Sequence, residues 1–410
     1  MLLLLLFLAT ALMMGFSILL PSILYVLQNM GASPSLATPV LASYSLAQFV
    51  AGPLWGRLSD RVGRKPVLVA SLGLSALAYG GMALFATSVW GLLITLAFAG
   101  LAAGGMSCLM ATAVDVTGAR DRARGMGMIG AGVGLAFIVG PALGGVLGGA
   151  DAAHAGIAAP AVASACASLI GVMMLWAMFR EPGVSAGGAA PPMGHLHTLR
   201  GLFGRPLLVR LCLLMLVFTV SVALMETATP LLTRDRFDWG PRQLGALFAY
   251  VGVLLVVVQG GLVGRLSRRF GERRLVTVAF LLMGLGLVTI AFSASLWTLL
   301  PGLTLTSLGA AFFASAMPAL ASHQADSRSR GAVMGSVQAM QALGRTLGPV
   351  FAGLFFQIRD DLPFLVGASV MVLGLVWFMR LLPAGRNDTG RRPDEKETPE
   401  IDALEQQGAE

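Results

Sequence analysis

Gly56-Arg57-Leu58-Ser59-Asp60-Arg61-Val62-Gly63-Arg64-Lys65 is a charged stretch that returns 208 residues later as Gly264-Arg265-Leu266-Ser267-Arg268-Arg269-Phe270-Gly271-Glu272-Arg273, with the same residue at six of ten positions. Each copy lies between two long apolar runs, so each is a hydrophilic loop that joins two membrane-spanning segments. The repeat indicates that the chain consists of two homologous halves, an arrangement typical of transporters.

The composition places the chain in a lipid bilayer. It has 410 residues, of which 56% are hydrophobic and only 12% are charged, too few to cover a water-soluble globule of this length. The 52 glycines fit this environment, because helices in lipid associate by close packing through small residues. The three cysteines fall in apolar runs and resemble no metal or redox cluster, so we expect neither a metal nor another cofactor.

Apolar runs of roughly 20 residues predict transmembrane helices. The chain contains about twelve such runs, near residues 3–27, 36–56, 66–86, 90–114, 126–149, 156–179, 208–232, 243–263, 275–294, 297–319, 332–357 and 363–382. We therefore expect an all-α membrane protein with twelve transmembrane helices in two pseudo-symmetric six-helix bundles.

The loops between these spans predict the domain organisation and the orientation. The basic residues concentrate in alternate loops, which by the positive-inside rule are cytoplasmic, so both termini are expected in the cytosol. The expected units are an N-terminal bundle over 1–180, a cytoplasmic linker over 181–206, a C-terminal bundle over 207–383 and a disordered cytoplasmic tail over 384–410. The net charge of +8 is thus explained by topology, and the dispersed arginines do not indicate nucleic-acid binding.

The first copy of the repeat resembles the loop motif G-x-L-x-D-R-x-G-R-[KR] of the major facilitator superfamily, and the resemblance covers nearly the whole chain. Gly56 and Gly63 allow a tight turn, while Arg61 and Arg64 anchor the loop at the cytoplasmic face. The resemblance implies the major facilitator fold, a bacterial inner-membrane location, transport by alternating access and a monomer as the working unit.

The acidic residues of this region are expected to control conformation. The resemblance implies that Asp60 contacts the positive end of the eleventh helix, which would begin near Gly331, when the halves close on the cytoplasmic side. Asp115 lies at the cytoplasmic end of the fourth span, where it either pairs with Arg64 or Arg61 or is simply solvated. We expect Gly56, Asp60, Arg61, Gly63, Arg64 and Asp115 to form a conformational latch.

A second motif lies in the fifth span and resembles that of drug:proton antiporters within the superfamily. Its residues are Gly127, Gly140, Pro141, Gly144 and Gly145, with Ala136 where the pattern usually has a further glycine. Proline bends a helix, and glycines let another helix approach closely, so this helix is expected to lie between the two halves. The motif favours export.

One residue that is usual in members of that branch is absent from this chain. Its members usually carry an arginine in the fourth span, where this chain has Leu96. The first span also lacks the acidic residue often found there. A group that couples transport to protons is therefore expected elsewhere.

Charges inside the membrane are rare and usually functional. Glu226 lies in the seventh span, and burial of an acid in an apolar cavity allows it to load and release a proton near neutral pH. We expect Glu226 to be the proton-coupling residue. The alternative is a structural ion pair with Arg234 or Arg236.

Arg345 lies near the middle of the eleventh span, on the same helical face as Gln341 and Gln338. We expect this stripe to face the substrate cavity. Arg345 would hold an anionic group of the substrate, act as the cationic partner of Glu226, or bridge the halves by bonding to carbonyls. Further candidates for contact with substrate are Tyr44 and Gln48 in the second span and Tyr250 in the eighth.

These patterns predict a proton-driven exporter of small amphipathic organic compounds. An importer or facilitator of a small metabolite, in particular an anion held by Arg345, is the first alternative. A membrane enzyme or receptor is a remote one, because no grouping of nucleophile and base is evident. The chain has no G-x4-G-K-[ST] motif, so the expected partners are the bilayer, protons and a small substrate rather than a nucleotide.

Overall fold

The computed structural model describes residues 2–179, 206–323 and 330–381, and within these ranges all side chains except those of 118–123 and 322–332. Of the predicted linker 181–206 only Pro206 is described, and it begins a helix. The predicted tail 384–410 lies outside the described residues.

The described residues form twelve long helices, which confirms the predicted all-α architecture. They are α1 Leu2–Asn29, α2 Pro34–Val62, α3 Arg64–Phe85, α4 Val89–Ala103, α5 Met106–Gly148, α6 Ala158–Met178, α7 Pro206–Phe237, α8 Pro241–Phe270, α9 Glu272–Ala291, α10 Leu296–His323, α11 Arg330–Ile358 and α12 Leu362–Leu381. A π-helical turn at Val258–Leu262 interrupts α8.

Ten helical segments of the described chain are long and apolar enough to cross a membrane. The two long helices that fall short are α2 and α11, which carry the polar and charged residues Tyr44, Gln48 and Arg345. These two helices pack against each other between the halves of the molecule. Their polar residues therefore lie between the halves and not against lipid, so these helices need less lipid-compatible surface than the other helices.

The fourth predicted span is interrupted in the structure. Helix α4 ends at Ala103 and α5 begins at Met106, whereas the sequence predicted one helix over 90–114. Gly104 packs so closely on α2 that a methyl group there would lie 2.8 Å from Ala51 Cβ. The Ser71 hydroxyl also donates to the Ala102 carbonyl at 2.8 Å. The chain therefore bends at this point while it continues in the same span.

Helix α5 holds the second part of the fourth span and all of the fifth, and its chain reverses direction between them. A methyl group added to Gly125 would lie 2.7 Å from Thr117 Cγ2 and 3.5 Å from the carbonyl oxygen of Ala113. In a straight helix, Ala113 and Gly125 would be separated by about 18 Å along the axis. The long helical segment therefore contains two antiparallel spans, as the sequence predicted.

The two halves meet along two helix pairs, α2 with α11 and α5 with α8. The 208-residue repeat maps α2 onto α8 and the second part of α5 onto α11, so it also maps one pair onto the other. Within the halves, α1 packs on α5 and α6, while α7 packs on α11 and α12. The internal symmetry of the sequence therefore appears in the packing of the helices.

The molecule has two ends that differ in charge. We call the end that holds Arg64 and Arg268 the basic end, and the end that holds Gly149 and Asp360 the opposite end. Among the described residues, the hydrogen bonds between the two halves all lie at the opposite end, where they involve Arg234 and the backbone N–H of Arg242. The halves are thus joined on that side.

Helices α5 and α8 separate toward the basic end. Near the opposite end, a methyl group on Gly145 would lie 2.7 Å from the Pro241 carbonyl oxygen and 2.9 Å from Gly245 Cα. Toward the basic end, a methyl group on Gly127, Gly130, Gly260 or Gly261 would meet nothing within 4 Å. The space between the halves therefore opens at the basic end.

Candidate transport cavity

A cavity of about 1240 Å³, a volume that includes its open mouth, lies between the two halves at mid-depth. Both halves contribute to it through helices α1, α2, α5, α7, α8, α10 and α11. Its lining side chains are Met13, Phe16, Leu20, Leu24, Leu41, Tyr44, Ser45, Gln48, Phe137, Pro141, Ala223, Met225, Glu226, Thr227, Thr229, Pro230, Phe248, Val251, Gly252, Leu255, Leu303, Arg345 and Pro349. A mostly apolar cavity at the interface of two repeats is the usual substrate site of a transporter.

Glu226 and Arg345 are the two charged residues of this lining. Both side chains are exposed although they lie at mid-depth, so they are exposed to the cavity and not to lipid. Their charges are close enough to interact. Neither has a hydrogen bond or salt bridge within the part of the chain that the structure describes. Charges at this depth without a salt bridge are unfavourable for the fold, which makes both residues candidates for a function.

The structural alternatives for these two residues are not supported. Arg234 donates hydrogen bonds to Gln28 and Asn29, and Arg236 is paired with Asp360 at 2.6 Å, so both arginines have partners other than Glu226. Arg345 likewise forms no hydrogen bond to a carbonyl across the halves among the described residues. Both charges therefore face the cavity without these partners.

The packing of α7 on α11 fixes the relative depth of the two charges. The helices run in the same direction, because added methyl groups on Gly344 and Gly348 would meet Thr219 and Ala223, respectively. Glu226, three residues after Ala223, is thus level with residue 351. Arg345 lies roughly six residues, or about 9 Å, closer to the basic end. This offset explains how the two charges interact without forming a salt bridge.

Three prolines of the lining leave backbone acceptors beside the cavity. Pro141, Pro230 and Pro349 have no N–H, so the carbonyls four residues earlier lose their usual helical partner. Those carbonyls belong to Phe137, Glu226 and Arg345, and all three residues also line the cavity. Since residues i and i+4 share one helical face, the freed carbonyls lie on the cavity side.

Two of the predicted cavity residues in α2 line the site. Tyr44 stacks on Phe16 of α1 with ring centroids 4.0 Å apart, and its buried hydroxyl makes no hydrogen bond within the described residues. Gln48 lies one turn further toward the basic end and donates to the Ala103 carbonyl at 3.5 Å. They give α2 an aromatic and a polar contact surface.

Three predicted cavity residues lie outside the lining. The Gln341 amide lies 3.7 Å from Met215 Sδ, between α11 and α7. The Tyr250 hydroxyl shares a 2.7 Å hydrogen bond with Thr304 of α10. Gln338 is exposed nearer the basic end. Of the predicted stripe Gln338–Gln341–Arg345, only Arg345 belongs to the cavity lining, and Gln341 contacts α7 instead.

The residues of the predicted latch cluster at the basic end. Arg64 bonds to the carboxylates of both Asp60 and Asp115 at 2.8 Å, so Asp115 is paired and not merely solvated. Gly63 has a φ of 98°, a conformation that favours glycine, and it joins α2 to α3. Gly56 approaches Ser107, and Arg61 is exposed. Helix α11 begins at Arg330, one residue before the predicted start, but the side chains there are not described.

The glycines of the fifth-span motif differ in their surroundings. Added methyl groups on Gly140 and Gly144 would collide with Ser17 and Ile18 of α1. Gly145 instead packs on α8, as described above. Gly127 has open space around it, so close helix packing does not explain that position. Ala136, at the departure from the pattern, is fully buried, and its carbonyl accepts a 2.8 Å hydrogen bond from Ser17.

The sequence did not identify the side chains that join the halves at the opposite end. Arg234 of α7 bonds to the last turn of α1 through the Tyr25 carbonyl, Gln28 and Asn29. Nor did it identify the aromatic walls Phe16, Phe137 and Phe248. Aromatic residues in an apolar span carry no signal that separates a cavity wall from a lipid contact. Among the described residues, no group of three His, Cys, Asp or Glu could hold a metal ion.

Comparisons with known proteins agree with this architecture. The sequence profile of the Major Facilitator Superfamily matches residues 5–267 and 260–406. The chain is similar to the class G tetracycline resistance protein of Vibrio anguillarum, with 32% identity over 83% of this chain and 87% of the relative. It is also similar to the class H tetracycline resistance protein of Pasteurella multocida, with 28% identity over 88% of this chain and 91% of the relative.

Among solved structures, the human organic anion transporter MFSD10 has the same fold, with a TM-score of 0.70 and 22% identity over 92% of this chain and 98% of that one. The family profile and the relatives extend over both halves and the cavity between them. The chain is therefore a multi-pass membrane transporter of the major facilitator superfamily.

Proposed function

We propose that the protein exports small amphipathic organic compounds in exchange for protons. The observation that carries this proposal is Glu226, a carboxylate without a hydrogen bond or salt bridge among the described residues, exposed to an apolar cavity between two transporter halves. An acid in such surroundings is suited to bind and release a proton during transport. The relatives named for tetracycline resistance support efflux as its direction.

Alternating access supplies the mechanism. In the present conformation, the halves are joined at the opposite end and separated at the basic end, so substrate enters from the basic side. Rocking of the halves about α2–α11 and α5–α8 would open the opposite end, where a proton reaches Glu226 and substrate leaves. No nucleotide or other cofactor takes part in this cycle.

The proposed orientation places the basic end in the cytosol. The arginine-rich loops favour this side, which puts both termini, the linker 181–206 and the tail 384–410 in the cytosol of a bacterial inner membrane. Both six-helix halves and the cavity between them belong to one chain, so we propose a monomer as the working unit.

The cluster at the basic end would act as the conformational latch. Asp60 is 37% exposed and bonds to Arg64 while the basic end is open. When that end closes, Asp60 would face the N-terminus of α11, whose positive dipole end attracts a carboxylate. Arg64 and Asp115 would hold the loop in position, with Gly56, Arg61 and Gly63 shaping it.

Inverted membrane vesicles test the proposal directly. A pH gradient is established, amphipathic compounds are added with tetracycline first, and discharge of the gradient is followed for the parent, Glu226→Gln and Glu272→Gln. The control residue Glu272 begins α9 at the basic end, outside the cavity. We expect discharge by the parent and by Glu272→Gln, and none by Glu226→Gln. Discharge that persists in Glu226→Gln would remove this residue from the coupling role.

The second candidate function is import or facilitated diffusion of an anionic metabolite. Arg345 favours it, because an unpaired guanidinium in the cavity attracts an anion. The fold shared with a human organic anion transporter is compatible with such a substrate. Equilibration of a labelled anion that ignores the pH gradient, with no discharge by any compound, would establish this alternative.

A further inference from the structure

We infer that the cavity selects zwitterionic amphiphiles, whose acidic group binds at Arg345 and whose ammonium group binds at Glu226. The inference rests on the proposed function only in taking this cavity as the transport site. It names the substrate class and the orientation of the substrate. It does not depend on proton exchange, since binding can be measured without a gradient.

The cavity lining holds one cation and one anion, and the two do not form a salt bridge with each other. A purely cationic ligand at Glu226 leaves the guanidinium uncompensated and is repelled by it. A purely anionic ligand at Arg345 meets the same difficulty with the carboxylate. A zwitterion neutralises both charges, which is the most favourable arrangement in a low-dielectric site.

The two charges lie at different depths in the cavity. The backbone of Arg345 lies about 9 Å nearer the basic end than that of Glu226, since roughly six helical residues separate their levels. A compound that enters from the basic end therefore meets the guanidinium first. The complementary ligand has its acidic and basic groups at opposite ends of its skeleton, and the ammonium enters first.

The cavity walls between the two charges indicate the kind of skeleton that the substrate has. Phe16, Phe137 and Phe248 line the cavity, and the Phe16 ring is stacked on that of Tyr44. These side chains come from four helices of both halves. Flat apolar surfaces of this kind favour a rigid aromatic core that contacts ring faces and edges.

The Glu226 position offers the ammonium two acceptors. One is the carboxylate, and the other is the Glu226 carbonyl, which Pro230 leaves without its helical donor. A proton on the carboxylate removes the negative charge that the ammonium requires. Proton and ammonium are therefore mutually exclusive at Glu226, which links substrate release to proton binding.

A matched set of three ligands tests the inference. Norfloxacin carries an acid and an amine at opposite ends of one aromatic core, its methyl ester keeps only the amine, and N-acetylnorfloxacin keeps only the acid. Binding of each to the purified full-length protein is measured by equilibrium dialysis at neutral pH. The proteins are the parent, Glu226→Gln and Arg345→Gln, with Glu272→Gln and Arg210→Gln as controls outside the cavity.

We expect the parent and both controls to bind the zwitterion about tenfold more tightly than either singly charged compound. In Arg345→Gln, the affinity for the zwitterion falls to that for the ester. In Glu226→Gln, it falls to that for the N-acetyl compound. A monodisperse peak in gel filtration, obtained for every variant, shows that each is folded.

Equal affinities of the three ligands for the parent, or a preference that persists in both cavity variants, would overturn the inference. A parent that prefers the ester, with vesicles that still show Glu226-dependent discharge, would overturn it and leave the proposed exporter intact. Selective zwitterion binding without any discharge would instead uphold the substrate class and reject proton-coupled export.

Discussion

Arg234 of α7 donates a 2.9 Å hydrogen bond to the side-chain oxygen of Gln28 in α1, and so joins the two halves at the opposite end of the molecule. The same guanidinium reaches the Asn29 side chain at 2.8 Å and the Tyr25 carbonyl at 3.3 Å. It therefore lies against the C-terminal turn of α1, where the helix dipole and the unpaired carbonyls attract a cation.

Arg234→Gln is expected to open the opposite end more often. Loss of a charged hydrogen bond costs about 1.5–3 kcal/mol, so the fraction of open molecules should rise about tenfold or more. A reporter cysteine replaces Thr229, which lines the cavity and is 1% exposed, in a Cys166→Ser background. A membrane-impermeant maleimide is then added on the side of the membrane that the opposite end faces, and the rate of labelling is measured.

Arg242→Gln is the matched control for this experiment, because Arg242 contacts the other half through its backbone N–H. Its labelling rate should equal that of the parent. A rate for Arg234→Gln that also equals the parent's would show that Arg234 does not hold this end closed.

Gly145→Ala should impair the contact between α5 and α8. The new methyl group would lie 2.7 Å from the Pro241 carbonyl oxygen and 2.9 Å from Gly245 Cα, so the helices must separate. Overpacking of this kind costs about 1–3 kcal/mol, and we expect a Tm lower by several degrees together with slower transport. Thermal aggregation followed by gel filtration gives the Tm.

The control for Gly145 is Gly127→Ala in the same helix. Open space surrounds Gly127, and alanine is the better helix former, so its Tm should be unchanged or slightly higher. Equal losses in the two variants would mean that general helix effects, and not the α5–α8 contact, determine the result.

Asp360→Asn should lower stability at neutral pH but not in acid. The hydrogen bond from Arg236 holds the pKa of Asp360 below the usual aspartate value of 3.8. Because the pKa is lower in the folded protein, the ion pair contributes stability above 3.8, and this contribution is lost as the pH falls through the folded value. A partly exposed pair contributes about 0.2–1 kcal/mol, so a Tm loss of at most about 1–2 °C is expected at pH 7.

Asp238→Asn provides the comparison for Asp360. Asp238 has a φ of 51°, which asparagine also tolerates, so the exchange removes a carboxylate at the same end without backbone strain. Its Tm should follow that of the parent at every pH. A deficit of Asp360→Asn that remains constant down to pH 3 would contradict the ionic origin of its stability.

The fold was predictable from this sequence because apolar runs and basic loops are local signals. The two cavity charges, Glu226 and Arg345, were predictable for the same reason, since an ionisable residue inside an apolar run is conspicuous. The placement of Gln341 could not be predicted from the sequence. Gln341 shares a helical face with Arg345, and only the packing of α7 on α11 brings it against Met215.

The contacts at the opposite end could not be predicted from the sequence either. Arg234 and Arg236 are two residues apart at the end of α7, yet one bonds to α1 and the other to Asp360 in its own half. The direction of each side chain depends on the neighbouring helices and not on local spacing. Partners that lie more than 100 residues apart leave no periodic pattern in the sequence.

Leu96→Arg tests whether this chain can accommodate the fourth-span arginine that its resemblance to the drug:proton antiporter branch implies. Leu96 is fully buried in the apolar core of the molecule, with Tyr44 and Leu92 in the same cluster. An arginine there would be surrounded by apolar side chains, and a charge at membrane depth costs at least about 2.5–3.5 kcal/mol. We expect a large loss of monodisperse protein in gel filtration, whereas Leu96→Met, which conserves volume and polarity, should retain the parent's yield. Normal yield and faster proton exchange in Leu96→Arg would show instead that α4 can turn this position toward the cavity. That outcome would place part of the proposed proton pathway in the first half, in addition to Glu226 in the second.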